Sequence, residues 1–505
     1  MANPLYDTLF GCHAGRTAPF LHLADGGTLS YDAFLRLAAR YAHAFRAAGL
    51  EPGDRLAAQI EKSPEALAVY AACVQAGIVF LPLNTGYTGD ELEYFVTDSS
   101  AKLLLSDGAR ADALRPMAEA AGAVLMTLDA GGSGTLSDAA RDMPETFDTT
   151  PRDGDDLAAF LYTSGTTGRS KGAMLTQTNL LSNAEVLVAY WQFSADDVLL
   201  HALPVFHTHG LFVATNIVLL AGGAMIFLPK FDLDQVIAHL PRATTMMGVP
   251  TFYTRLLDDP RFTRELVAHM RLFTSGSAPL LAETHVAFEA RTGHRILERY
   301  GMTETNMNTS NPYDGERRAG TVGFPLPGVE LRITDPESGE TLPQGEIGLI
   351  EVRGPNVFKG YWNMPEKTAE ELRENGFFIT GDLGLIDDRG YVQILGRNKD
   401  LIISGGYNIY PKEIELLLDD QPGVLESAVV GVPHPDFGET VVGFLVPQTG
   451  MTPDLDAIGA AAARSLARFK HPRKLIILDA LPRNTMGKVQ KNVLRAEYGG
   501  LFAGS

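Results

Sequence analysis

Residues 162–172 read Tyr162-Thr163-Ser164-Gly165-Thr166-Thr167-Gly168-Arg169-Ser170-Lys171-Gly172. An apolar run over 157–161 precedes them and reads as a buried strand feeding a loop. The loop carries the hydroxyls of Thr163, Ser164, Thr166 and Thr167 among glycines, then the cation of Lys171. Gly165 and Gly168 permit backbone conformations that turn amide N–H groups toward a ligand. Small donors, turned amides and one ammonium make a cradle for a polyphosphate. An ordinary Gly/Thr/Ser surface turn is the alternative, and the density of hydroxyls together with the lysine weighs against it. A Walker A loop would place Lys directly after its second Gly. Here Arg169 and Ser170 intervene, which argues against a P-loop kinase or ATPase.

Outward from the loop, helical patterns at 31–48 and 64–76 alternate with short apolar runs at 55–60, 79–83 and 102–105. That alternation predicts α/β units with largely parallel sheet. Residues 131–156 are polar and weakly periodic, and read as a surface connection. From 329 to 353 the pattern turns to short strands with Gly- and Pro-containing turns, a β-rich subdomain. A fresh unit follows residue 397, with strands near 401 and at 428–432 and helices at 411–418 and 455–466. The expected architecture is therefore α/β. A large N-terminal domain of αβ-layered sheets over 1–397 precedes a small mobile α+β domain over 398–505.

A chain of 505 residues exceeds what one core of roughly 250–300 residues sustains. Cys12 and Cys73 are its only cysteines, so no disulfide framework is expected and a reducing, cytoplasmic compartment is. The first residues lack a basic and then apolar leader, so no secretory signal is expected. The apolar stretch 210–228 contains Asn216 and Gly222-Gly223, and reads as a buried helix, a turn and a strand rather than a membrane span. A net charge of −19 argues against nucleic acid as a partner. Residues 464–495, with nine basic residues and one acid, read as a basic face suited to a compact polyanion.

Four more segments complete a pattern. They are Arg299-Tyr300-Gly301-Met302-Thr303-Glu304, Phe378-Ile379-Thr380-Gly381-Asp382, Gly396-Arg397-Asn398-Lys399-Asp400 and Pro482-Arg483-Asn484-Thr485-Met486-Gly487-Lys488. In this order, with 75–84, 345–354 and 404–411, they resemble the adenylate-forming superfamily of acyl-CoA synthetases, adenylation domains and beetle luciferases. The resemblance covers about residues 29–495; Ser170 departs from it, standing where the superfamily usually has Pro. It implies that the 163–171 loop holds the β- and γ-phosphates of ATP. Tyr300 and the Ser275-Gly276-Ser277-Ala278-Pro279 loop would hold adenine, with Glu298, Gly301, Met302 and Thr303 beside the nucleotide. Asp382 would take the ribose hydroxyls near Arg397. Glu304 would bind Mg²⁺, and Thr163 and His207 would assist catalysis. Lys488 would act at the reacting carboxylate and α-phosphate. Lys399 would be the hinge that withdraws Lys488 and brings Gly405-Gly406 to the pantetheine of coenzyme A.

The acid is read from Pro204-Val205-Phe206-His207 and from Arg299. Amino-acid-activating relatives keep an aspartate where this chain has aromatic and histidine character, so an amino acid is not expected. A guanidinium at 299 beside the acyl pocket suits a second carboxylate on the acid. Outward pairing of Arg299 with Glu298 or Glu316 is the alternative. With Ser277, His207, Gly276 and Met302 lining the pocket, the pattern is similar to malonyl-CoA synthetases, which implies malonate, and methylmalonate, as substrates. The basic 464–495 segment would receive the 3′-phospho-ADP of coenzyme A. An enzyme that loads a carrier protein and a non-catalytic nucleotide sensor are the other readings; the complete set Lys171, Glu304, Asp382, Arg397 and Lys488 weighs against the sensor. No nucleic acid or membrane partner is expected, and an exposed catalytic lysine at 488 suits a lysine acyltransferase.

Overall fold

The computed structural model describes residues 2–163, 170–405, 407–484 and 487–502. The chain separates into two compact units, residues 1–330 with 352–378 and residues 331–351 with 379–505.

The first unit is built on two sheets. In the seven-stranded sheet, Leu157–Thr163 lies between Val79–Pro82, its parallel neighbour, and Lys171–Thr176, its antiparallel one. The parallel order continues outward through Arg55–Gln59, Leu103–Ser106 and Val124–Thr127. Apart from the edge strand Val124–Thr127, these strands are buried along almost their whole length, so they read as continuous apolar runs rather than alternating ones. Short Gly360–Tyr361 closes the other edge against Lys171–Thr176.

The nine-stranded sheet carries a parallel block of Leu297–Met302, Leu272–Ser275, Thr245–Gly248, Val198–His201, Ala224–Phe227 and Pro19–Leu23. Helices cover it, and Tyr253, Phe262, Phe273 and Phe288 sit in the apolar cluster beneath. The helices start where local chemistry dictates. Ser30 caps Tyr31–Ala47 through the Ala33 N–H, and Ser63 caps Pro64–Ala76 with proline in the first turn.

The stretch 210–228 folds as expected, with one addition. A wide-turned π segment, His209–Thr215, leads into the helix Asn216–Ala221, the Gly222-Gly223 turn and the strand Ala224–Phe227. Among the described residues no helix is long and apolar enough to cross a membrane. The surface connection at 131–156 also holds a short helix, Thr135–Ala140, seated by the buried Leu136.

In the second unit, the strands Glu330–Thr334, Gly348–Arg353, Phe378–Ile386 and Val392–Arg397 form a four-stranded sheet, which is the expected β-rich subdomain. A second sheet pairs Val424–His434 with Gly438–Pro447 and carries Ile402–Ser404, Tyr407–Ile409 and Lys474–Ile477. The helices Pro411–Asp419 and Leu455–Ser465 bury Ile414, Leu418 and Ile458 against Val429 and Leu445.

Candidate active site

The two strands that bracket the hydroxyl-rich loop place Thr163 directly opposite Lys171. Ser164, Gly165, Thr166, Thr167 and Gly168 lie outside the described residues; the base of the loop is well defined. Thr163 donates from Oγ1 to the Lys171 carbonyl at 3.5 Å and to Glu304 Oε1 at 3.4 Å. Lys171 is 8% exposed. Its Nζ sits 3.1 Å from each carboxylate oxygen of Glu371 and 4.1 Å from the centre of the Tyr361 ring.

Tyr361 ties the lysine to the acidic side of the site. Its hydroxyl stands 2.6 Å from Glu371 Oε2 and 3.1 Å from Glu304 Oε1. Burial and the two carboxylates push this phenol far above its usual pKa, so it stays a donor at any physiological pH. Thr163, Glu304, Tyr361, Glu371 and Lys171 thus form one network. Tyr361 and Glu371 were not anticipated from sequence. Their only local signal is the Gly360-Tyr361 edge strand and a helix, Pro365–Glu371, ending in glutamate.

Glu304 is 5% exposed and takes both of those hydrogen bonds on Oε1; Oε2 has none among the described residues. One carboxylate oxygen left open beside a phosphate cradle fits Mg²⁺, which keeps several waters and draws other ligands from substrate phosphates. No group of three or more His, Cys, Asp or Glu ligands stands together among the described residues. Most of the cation's ligands would then come from nucleotide and water.

A second group of site residues gathers at the carboxyl ends of the parallel strands, where open α/β sheets bind ligands. Gly248 pairs with Ser275, and Ser275 with Glu298. Arg299 follows on the same strand and is 4% exposed. Its guanidinium lies across the backbone of Gly276: a Cβ there would meet the guanidinium carbon at 2.3 Å, so position 276 demands glycine. Nε and Nη2 of Arg299 have no hydrogen-bond partner among the described residues. Outward pairing is therefore not what the arginine does. Glu298 turns to the buried His285 at 3.0 Å, and burial pushes its carboxyl up.

His209 belongs to this group. It is 1% exposed, its Nδ1 stands 3.1 Å from Ser277 Oγ, and its Nε2 has no partner among the described residues. Burial first, then the charge of Arg299, lowers its pKa well below the usual value, which keeps it neutral. Ser277 reaches it from a left-handed backbone (φ 69°), a conformation that costs a non-glycine residue roughly 1–2 kcal/mol. Ala278 and Pro279 follow Ser277 toward solvent. His207, expected in the pocket from sequence, is half-buried, and its Nδ1 accepts from the His209 N–H at 3.4 Å.

Gly301 and Met302 turn the strand back. A Cβ at Gly301 would stand 1.8 Å from the Asn306 carbonyl oxygen, and Met302 pairs with Asn306 across the hairpin that presents Thr303 and Glu304. Tyr300 is 8% exposed on the same strand.

In the second unit, Asp382 and Arg397 face each other across an antiparallel pair, with Nε 2.8 Å from Oδ1. Asp382 is 5% exposed. Lys399 is exposed in the turn Asn398–Asp400. Lys488 is exposed, and its loop is closed by the Asn484 N–H to Lys488 carbonyl bond (3.0 Å) and the Lys488 N–H to Asn484 Oδ1 bond (2.9 Å). Gly405 donates its N–H to the Phe437 carbonyl at 2.9 Å; Gly406 lies outside the described residues. The expected basic face over 464–495 needs correction. Lys470 pairs with Glu413, Arg483 with Glu426, Lys491 with Glu415 and Arg495 with Asp400. Arg464, Arg468, Arg473 and Lys474 are exposed and have no ion pair among the described residues.

Fold and site together define a nucleotide-binding α/β enzyme. Residues 11–362 match the AMP-binding enzyme family, and residues 413–488 match the AMP-binding enzyme C-terminal domain. The chain belongs to the AMP-binding enzyme family, as the resemblance to adenylate-forming enzymes implied. The crystal structure of ATP-bound MatB from Rhodopseudomonas palustris is similar at 58% identity and TM-score 0.98, over 99% of this chain and 100% of that one. A feruloyl-CoA synthase from an Amycolatopsis species is 37% identical, over 94% of this chain and 95% of its own length. A malonate–CoA ligase from Arabidopsis thaliana is 36% identical, over 88% of this chain and 78% of its own.

Proposed function

We propose that this protein is an AMP-forming malonyl-CoA synthetase, converting malonate, ATP and coenzyme A to malonyl-CoA, AMP and pyrophosphate through malonyl-AMP. The observation that carries the acid is Arg299, a buried cation whose Nε and Nη2 have no partner among the described residues, near neutral His209, whose Nε2 has none there either. Buried donors left open in a folded protein are uncommon. A carboxylate distal to the reacting one would satisfy both, through the guanidinium fork and the imidazole N–H. Ferulate offers no second carboxylate at that place.

A carboxylate is a poor acyl donor because its leaving group would be oxide; adenylation replaces that with AMP. The loop 163–171 would hold the β- and γ-phosphates, Tyr300 and residues 277–279 the adenine, and Asp382 the ribose diol. Mg²⁺ on Glu304 would supply charge neutralisation to the polyphosphate. Lys488 would stabilise the charge that develops as the acid attacks the α-phosphate. In the second half-reaction the segment 398–505 would turn about Lys399 and present Gly405-Gly406 to the pantetheine thiol. The exposed Arg464, Arg468 and Lys474 suit the phosphates of coenzyme A. Cys12 and Cys73 are free thiols, which agrees with a cytoplasmic setting.

Incubation with ATP, coenzyme A and a panel of malonate, methylmalonate, butyrate and ferulate, with products identified by mass spectrometry, tests this reading. Malonyl-CoA and AMP should form fastest. Faster feruloyl-CoA or butyryl-CoA would exclude it.

A further inference from the structure

Glu371 ends the helix Pro365–Glu371 and is met by three donors. Lys171 Nζ stands 3.1 Å from each of its oxygens, the Tyr361 hydroxyl 2.6 Å and Lys367 Nζ 3.0 Å away. Lys171, in contrast, has no other ion pair among the described residues. An ammonium has three N–H groups, and the carboxylate of Glu371 already engages it on both oxygens. The phosphates of ATP would need that same ammonium.

We propose that Glu371 is the nucleotide-free counter-ion of Lys171, a carboxylate standing where phosphate oxygens later bind, and that ATP displaces it. This rests on the reading of the 163–171 loop as the polyphosphate site. The partners of the two residues are unequal, and the inequality makes the exchange feasible. When Lys171 leaves, Glu371 keeps Tyr361 and Lys367, and Tyr361 keeps Glu304, so no buried charge is stranded. The backbone of Lys171 is fixed in a strand opposite Thr163, so the exchange is a side-chain rotation. Burial would push the Glu371 carboxyl up, but the bonds from Tyr361 and Lys367 and the charge of Lys171 outweigh it and hold it below the usual range. Glu371 therefore remains a competing anion at neutral pH. It weakens ATP binding and takes the lysine back as pyrophosphate leaves.

The sign of the effect separates this role from a structural one. In equilibrium titrations with ATP, without acid or coenzyme A, Glu371→Gln should bind ATP about three- to tenfold more tightly, the range of a partly screened ion pair. Lys171→Ala should weaken binding, and in the double variant the gain from Glu371→Gln should vanish. Lys367→Met, at a more exposed position, should act oppositely to Glu371→Gln and weaken ATP binding, because Glu371 then holds Lys171 harder. Unchanged or weaker binding by a folded Glu371→Gln protein overturns the exchange. Should that variant fail to fold, unchanged or tighter binding by Lys367→Met overturns it instead. If the wild-type protein does not bind ATP at all, the loop reading itself falls, a result distinct from either.

Discussion

In an Arg299→Met variant, the guanidinium lying across Gly276 gives way to an uncharged side chain of similar length. Burial lowers the Arg299 pKa to about 9, well below the usual guanidinium range. At about 1.4 kcal/mol per pH unit, that corresponds to a penalty on the order of 5 kcal/mol. The direction fixes the pH window. The folded state disfavours the charged form, so stability falls as pH drops toward 9 and is level below 9. At pH 7 the whole penalty is present. Removing the cation should therefore stabilise the protein; replacements of buried charges by apolar groups recover about 1–4 kcal/mol. For a chain of this size that is a rise of a few degrees in unfolding temperature. Activity should move the other way. Two charge-assisted hydrogen bonds to a distal carboxylate contribute about 1.5–3 kcal/mol each, so kcat/KM for malonate should fall roughly 10²–10⁴-fold. Butyrate, with a methyl group at that place, should be used as well as before or better. Pyrophosphate exchange and thermal unfolding, each with and without malonate, read both effects. Malonate should raise the unfolding temperature of the wild-type protein and not that of the variant. Malonate activity within threefold of wild type, or a variant that unfolds several degrees lower, would refute the reasoning.

Glu304→Gln should raise the Mg²⁺ concentration needed for half-maximal exchange about tenfold or more, measured by Mg²⁺ titration at fixed ATP. Lys488→Ala should lower malonyl-AMP formation by about 10²–10³-fold, the loss typical of one donor to developing charge. The same variant should convert supplied malonyl-AMP and coenzyme A to malonyl-CoA within a few-fold of wild type. Burial raises the Asp419 carboxyl to about 6, against 3.8 normally. Its contribution to stability is thus complete below 3.8 and is lost as pH rises through 6. Asp419→Asn, which keeps an acceptor for the Ser427 hydroxyl at 2.6 Å, should flatten unfolding temperature between pH 4 and 7 and raise it at pH 7.

Periodicity in the sequence was enough to place the parallel strands and their helices, because those strands are buried on both faces and read as unbroken apolar runs. Thr163, Lys171, Glu304 and Arg299 were legible because each sits in a short segment whose local turn or strand dictates its direction. Tyr361 and Glu371 were not, since a network of this kind is assembled by sheet pairing between positions far apart in the chain. His209 was not anticipated for a different reason: the π segment that starts there buries its ring beside Ser277, and one such wide turn leaves no periodic signal in sequence. The basic face over 464–495 was overestimated because its acidic partners, Asp400, Glu413, Glu415 and Glu426, lie well upstream.

The second carboxylate is tested most directly by comparing malonate with its monomethyl ester, which keeps the reacting carboxylate and masks the distal charge. In pyrophosphate exchange at neutral pH, kcat/KM for malonate should exceed that for the half-ester by about 10²-fold or more in the wild-type protein. In Arg299→Met the two should come within a few-fold of each other. Equal use of both acids by the wild-type enzyme would contradict an acid pocket built around Arg299.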